Sequence, residues 1–103
     1  MTTKHDELAD RARPALIIAA MRRSVLTYGE LGKAVGLSGV ELRNDMRHVL
    51  DEVARRCIAA KEPSLAVLVV NQKTGKPGQG FSPGYKDWHA EAQECFRHWK
   101  SPA

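Results

Sequence analysis

The side chains able to do bond-making chemistry in this sequence are few and scattered. Four histidines (His5, His48, His89, His98) and two cysteines (Cys57, Cys95) supply the nitrogen and sulfur donors. None has a partner at a recognised metal-ligand spacing, and no Cys–His order matches a known nucleophile motif. His89 and His98, nine residues apart, fall on opposed or perpendicular faces of one helix and form no clamp. Cys57 and Cys95 lie in apolar-faced stretches that read as helical, so buried free thiols are preferred to a bridge. A Cys–His pair assembled by folding is the remaining route to catalysis. The glycine-rich stretch Gly75-Lys76-Pro77-Gly78-Gln79-Gly80 lacks the G-x-x-x-x-G-K-S/T order of a phosphate-cradling loop. These residues predict a non-enzyme that needs no metal and no cofactor.

A second kind of chemistry, recognition by charge and hydrogen bonding, has better material. Thr27-Tyr28-Gly29-Glu30 and Ser38-Gly39-Val40-Glu41 each have the form of a capping box, in which a hydroxyl caps the amide three positions on and the Glu there reaches back. Two helix starts eleven residues apart define a short helix, a tight turn at Gly36 and Leu37, and a second helix. That is helix-turn-helix spacing, with Leu31, Val35, Leu37, Val40 and Leu42 available to pack the pair together. From Ser38 to about Ala60 the residues Leu42, Met46, Val49, Leu50, Val53, Cys57 and Ile58 recur at three and four, giving one long amphipathic helix or two nearly continuous ones. Arg43, Asn44 and Arg47 fall among its exposed positions, where a recognition helix presents Arg and Asn to base edges or phosphates. Asp45, Asp51 and Glu52 balance Arg47, Arg55 and Arg56, so the same helix also reads as an ordinary solvated face.

The elements that must hold this pair are a first helix over 13–24, a strand and a last helix. Residues 1–12 read as a flexible arm or a partly helical turn, and Pro14 suits a first helical position. Leu65-Ala66-Val67-Leu68-Val69-Val70 reads as a strand covered on both faces. The Asn, Gly and Pro content of 71–81 marks a hairpin or loop, which fits a wing on which Lys73 and Lys76 approach phosphates. Residues 85–100 form a C-terminal helix with Asp87 as N-cap and an apolar stripe of Trp88, Ala92, Cys95, Phe96 and Trp99. Core packing is the preferred role of that stripe, and docking of a partner through Trp88 and Trp99 is the alternative.

At 103 residues with 43% hydrophobic content, the chain has material for one domain whose core must draw on nearly every apolar segment. No apolar run approaches the roughly 18–20 residues of a membrane span, and the N-terminal Thr, Lys, His, Asp and Glu do not form a signal peptide. A soluble, cytoplasmic protein with no membrane contact is expected. The net charge of +4 permits nucleic-acid binding without requiring it.

The order helix, Thr27-Tyr28-Gly29-Glu30-Leu31, Gly36, long helix, strand, then Gly75-x-x-Gly78 resembles the winged-helix DNA-binding domain of O6-alkylguanine-DNA alkyltransferases and alkyltransferase-like proteins, over roughly Val25 to Phe81. The resemblance implies a helix-turn-helix that binds duplex DNA through the minor groove and flips a base. It also implies a Pro-Cys-His-Arg active strand, whose Cys position falls here on Val67 and its His position on Leu68. Alkyl transfer therefore has no acceptor. The arginine that fills the place of the flipped base falls on Leu42, one residue before Arg43. The segment Leu68 to Phe81 also looks like a stretch of small bacterial and phage winged-helix proteins, which brings no biochemical role.

The expectation is a mainly helical α+β chain: a winged helix-turn-helix with a short β-hairpin wing and an added C-terminal helix. It binds duplex DNA as a regulator or accessory factor through Lys33, Arg43, Asn44, Arg47, Lys73 and Lys76. The alternative is a protein-interaction module on the same scaffold, such as a phage-encoded or defence-related inhibitor of a host protein. Monomer and dimer are both open.

Overall fold

The computed structural model describes residues 3–73, 75 and 88–100. The chain is mainly helical: α1 (Lys4–Met21), β1 (Leu26–Thr27), α2 (Tyr28–Val35), α3 (Gly39–Ala59), a 3-10 turn (Leu65–Leu68), β2 (Val69–Val70) and α4 (Trp88–His98).

The first helix begins nine residues earlier than the sequence reading placed it. Thr3 caps the amide of Asp6 (3.1 Å) and the Asp6 carboxylate accepts from the Thr3 amide (3.2 Å), a capping box with Asp in place of Glu. Of the two readings of 1–12, a flexible arm or a partly helical turn, the helical one holds for residues 4–12, which are continuous with the rest of α1. Pro14 stands inside the helix, where it deletes one backbone hydrogen bond. Burial on both sides of it outweighs that loss: Leu8, Ala9, Ala12, Leu16, Ala19 and Ala20 continue one inward stripe past Pro14, whose ring faces solvent.

α1 and α3 make the main layer, with α2, the 3-10 turn and α4 closing over their apolar faces. Leu31, Val35, Leu37, Met46, Val49, Val53, Leu65, Val67 and Leu68 join α1 in a single buried cluster, which Ala92, Cys95 and Phe96 of α4 complete. Leu42, Trp88 and Trp99 pack on its edge.

The apolar run Leu65–Val70 is buried throughout, but only Val69 and Val70 are strand. They pair in parallel with Leu26 and Thr27. The ladder cannot lengthen because Thr27 is at once the last residue of β1 and the N-cap of α2. Leu65–Leu68 instead turn as 3-10 helix, which satisfies backbone groups locally. The sheet among the described residues is therefore a parallel pair of two-residue strands, not the six-residue strand expected. The hairpin proposed over 71–81, together with Lys76 and the Asp87 cap, falls outside the described residues apart from 71–73 and 75.

Ser64 fastens α4 to this turn. Its amide donates to the Glu91 carboxylate (2.7 Å) and its carbonyl accepts from the Cys95 thiol (3.2 Å), although the side chain lies fully buried. Among the described residues, no helix is long and apolar enough to cross a membrane.

Candidate nucleic-acid interface

The candidate interface residues stand on α2, its turn, the first half of α3 and the turn after β2. Thr27 Oγ1 accepts from the Glu30 amide (3.1 Å) and the Glu30 carboxylate accepts from the Thr27 amide (2.9 Å), so α2 starts as its sequence requires. Gly36 ends it with φ +88°, a left-handed conformation in which a side chain is strained. From α1, the Arg11 guanidinium donates to the Val35 carbonyl (3.4 Å), satisfying an orphan group at the α2 C-terminus. Three residues later α3 begins.

The second capping box is absent. Ser38 occupies the N-cap position, but its hydroxyl makes no capping bond, and Gly39 takes a left-handed φ of +57°. That glycine conformation at the entry to α3 breaks the local resemblance to the Thr27 box.

α2 and α3 meet at Gly32. A Cβ built there would lie 2.7 Å from Leu42 Cδ1 and 2.8 Å from the Leu37 carbonyl, so only hydrogen fits between the helices. Leu31, Val35 and Leu37 are buried and Leu42 half-buried in this contact, but Val40 is 63% exposed. Its apolar character alone assigns Val40 to the helix pair. On a 3.6-residue repeat it shares a face with Arg43, Asn44 and Arg47, away from Leu42, Met46 and Val49. Ile58, also counted as apolar-faced, is 65% exposed on the same side five turns on.

Arg43, Asn44 and Arg47 therefore emerge together, all exposed, and none pairs with an acid among the described residues. The sequence sets Asp45, with Asp51 and Glu52, against Arg47, Arg55 and Arg56. The partners of Asp45 are instead on α1: Lys4 Nζ at 3.1 Å and His5 Nε2 at 3.0 Å. The hydrogen bonds from His5 and then Lys4 hold the Asp45 carboxyl below the usual carboxylate range. His5 also stacks on His48, with ring centroids 4.9 Å apart. Farther along, Glu52 pairs with Arg55 and Arg56, and Arg56 also reaches Asp10 (2.5 Å) and Asp6 (3.8 Å). These acids are engaged on the α1 side of α3 or near its C-terminal end, and the outward arginines of the first half keep their charge unpaired.

Lys33 is exposed on α2, one residue beyond the Gly32 contact. Lys73 is exposed in the turn after β2, where its amide donates to Asn71 Oδ1 (2.8 Å) and the Gly75 amide donates to the Asn71 carbonyl (2.7 Å). Trp88 and Trp99 are both half-buried. Trp88 stacks on His89, and the Arg13 guanidinium lies 5.6 Å over the Trp99 ring while chelating Glu62 through two bonds of 2.7 and 2.9 Å. The Trp99 indole N–H is buried without a partner among the described residues.

Val67, which the resemblance sets at the position of a nucleophilic cysteine, is fully buried in the 3-10 turn. Burial pushes the Cys57 thiol up, and burial with the nearby Glu91 carboxylate pushes Cys95 up to about 12. A nucleophilic cysteine needs the opposite shift. An open hollow of about 410 Å³ is lined by Thr3, His5, Asp6, His48, Asp51, Glu52 and Arg55. His5, Asp6 and Glu52 there are already held by Asp45, Thr3 and the two arginines, and no group of three His, Cys, Asp or Glu suited to a metal ion occurs among the described residues.

The Lys4–His5–Asp45 cluster is what sequence reasoning missed. The Thr3-x-x-Asp6 box was a legible signal for the helix that carries it, but no local pattern announces a partner 40 residues away. The chain matches no protein-family model, no curated protein and no solved structure with which it was compared.

Proposed function

We propose that this chain is a non-catalytic winged-helix protein that binds duplex DNA as a regulator or accessory factor. α3 is its recognition helix, with Arg43 and Asn44 directed to bases. Arg47, Lys33, Lys73 and Lys76 neutralise phosphates. The observation that carries this reading is a pair of arginines left without ion pairs in the first half of α3, where Glu41 is the exposed acid of the first turn. Asp45 is neutralised from α1, Glu52 by Arg55 and Arg56, and Arg43 and Arg47 face solvent unpaired. A paired arginine must break its ion pair to reach a phosphate, whereas these two need only exchange water and counterions. Asp51, one turn beyond Arg47 and exposed, bounds the basic stretch, so the footprint is compact.

The test is fluorescence anisotropy of a labelled mixed-sequence duplex across 50–200 mM salt, settings on the order of those where phosphate contacts dominate. Arg47→Ala should make the log–log salt slope shallower by about 0.9, one phosphate contact. Arg43→Ala combined with Arg47→Ala should weaken binding at least about tenfold. Wild-type affinity no tighter than that of an unrelated protein of equal charge, or an unchanged slope in Arg47→Ala, refutes the reading.

A protein-interaction module is the second reading. Ile18, Met21 and Val25 favour it, three exposed apolar side chains grouped at the end of α1 and the turn after it.

A further inference from the structure

We infer that Val40 and Asn44 read A·T pairs from the major groove, Val40 against the thymine methyl and Asn44 by paired hydrogen bonds to the adenine edge. The inference rests on the DNA-binding reading and gives it a specificity.

Val40 is one of two β-branched residues left outward on α3, and unlike Ile58 five turns on it stands at the end that carries the arginines. It is 63% exposed, so the core does not use it, and it is β-branched, so helix propensity does not favour it at a solvated position. Yet it opens the outward stripe that continues through Arg43, Asn44 and Arg47 at steps of three, four and seven. Among these, the arginines bring charge complementary to a duplex, and Val40 brings the one apolar surface. An apolar side chain on a DNA-facing helix has one feature of base-pair edges to match, the C5 methyl of thymine, and that methyl lies in the major groove.

Spacing agrees with this assignment. Val40 and Asn44 are one turn apart, a rise of about 6 Å, and Val40 to Arg47 spans about 10 Å. Base pairs stack at about 3.4 Å, so the stripe covers about three of them, with Val40 and Asn44 over pairs about two steps apart. Asn is the side chain whose carbonyl and amide together match N6 and N7 of adenine. The amide of Asn44 has no partner among the described residues, so it is available for that pairing. The minor groove, which the alkyltransferase resemblance implies, offers no methyl and distinguishes A·T from G·C only by the guanine amino group.

Competition of a labelled mixed-sequence duplex with four alternating polymers separates these cases. Poly(dA-dU) lacks only the methyl of poly(dA-dT), while poly(dI-dC) shares the minor-groove pattern of A·T pairs and the major-groove pattern of G·C pairs. Poly(dG-dC) completes the set. Wild type should bind poly(dA-dT) about fourfold tighter than poly(dA-dU), the worth of one buried methyl, and at least about tenfold tighter than poly(dI-dC). Val40→Ala should equalise poly(dA-dT) and poly(dA-dU) while leaving the salt slope unchanged and the thermal stability equal to or slightly above that of wild type. Asn44→Ala should reduce the preference over poly(dI-dC).

Equal binding of poly(dA-dT) and poly(dI-dC) overturns the inference and leaves DNA binding standing. So does Val40→Ala that still distinguishes thymine from uracil. Failure to bind any of the four polymers overturns the DNA reading itself.

Discussion

Two glycines of α2 make a matched test of the packing on which the proposed interface depends. Gly29 and Gly32 lie three residues apart in the same helix, and alanine has a higher helix propensity than glycine by about 1 kcal/mol at an interior position. At Gly29 the added methyl would meet only Thr27 Oγ1 at 3.9 Å, an ordinary contact, so Gly29→Ala should stabilise the fold by about 0.5–1 kcal/mol. At Gly32 it would lie 2.7 Å from Leu42 Cδ1 and 2.8 Å from the Leu37 carbonyl. The leucine methyl can swing aside, but the carbonyl belongs to the turn that joins α2 to α3. Relief therefore requires the two helices to separate, and overpacking of this kind costs about 1–3 kcal/mol. With the upper part of that range against a propensity gain of about 1 kcal/mol, Gly32→Ala should destabilise by about 1–2 kcal/mol. For a domain of this size each kcal/mol shifts Tm by about 4–8 °C, so the variant should melt about 5–15 °C below wild type. Guanidinium titration and thermal melts followed by circular dichroism at a helical wavelength give both values. Gly32→Ala at or above wild-type stability would mean that α2 and α3 do not meet there, and the placement of Arg43 and Asn44 beside α2 would fall with it.

The two capping positions should respond unequally: Thr27→Ala loses a hydroxyl that caps the Glu30 amide and should cost about 1 kcal/mol, whereas Ser38→Ala removes no capping bond and should stay within about 0.5 kcal/mol in the same denaturation assay. The cysteines should be nearly inert to a thiol reagent at pH 8 until the chain unfolds, because both are buried and Cys95 is pushed up to about 12. Its proton is held more tightly by the folded chain than by the unfolded one, so this contribution is fully present below the ordinary thiol range and lost as pH rises from about 9 toward 12. Cys95→Ala should flatten the fall of Tm over that alkaline range, and rapid labelling of the native protein would refute the burial on which the shift depends.

How much of the molecule is legible in its sequence depends on how far apart the interacting residues lie. The start of α2 was readable because Thr27 and Glu30 are three residues apart and satisfy each other. Its end was readable because Gly36 supplies a left-handed residue that few others tolerate. The inward stripe of α3 followed from the helical repeat, as did the outward position of Arg43, Asn44 and Arg47. The same local logic failed at Ser38, where the left-handed Gly39 spoils an otherwise valid box, and at Pro14, where local propensity marked a helix start. There a buried stripe running through the proline decided otherwise, because burial on both sides exceeds the loss of one backbone bond.

By itself, then, the sequence determined the elements whose stabilising partners lie within a turn or two: the α2 cap, the Gly36 turn and the amphipathic face of α3. Tertiary structure alone decided which charges remain unpaired, since Asp45 could have balanced Arg43 and Arg47 and instead meets Lys4 and His5, about 40 residues away in the chain. It decided also that Leu65–Val70 ends as a two-residue strand, because the neighbour it pairs with turns into a helix after Thr27. Such pairings are set by which helix packs on which, and periodicity along one segment carries no information about the face of another.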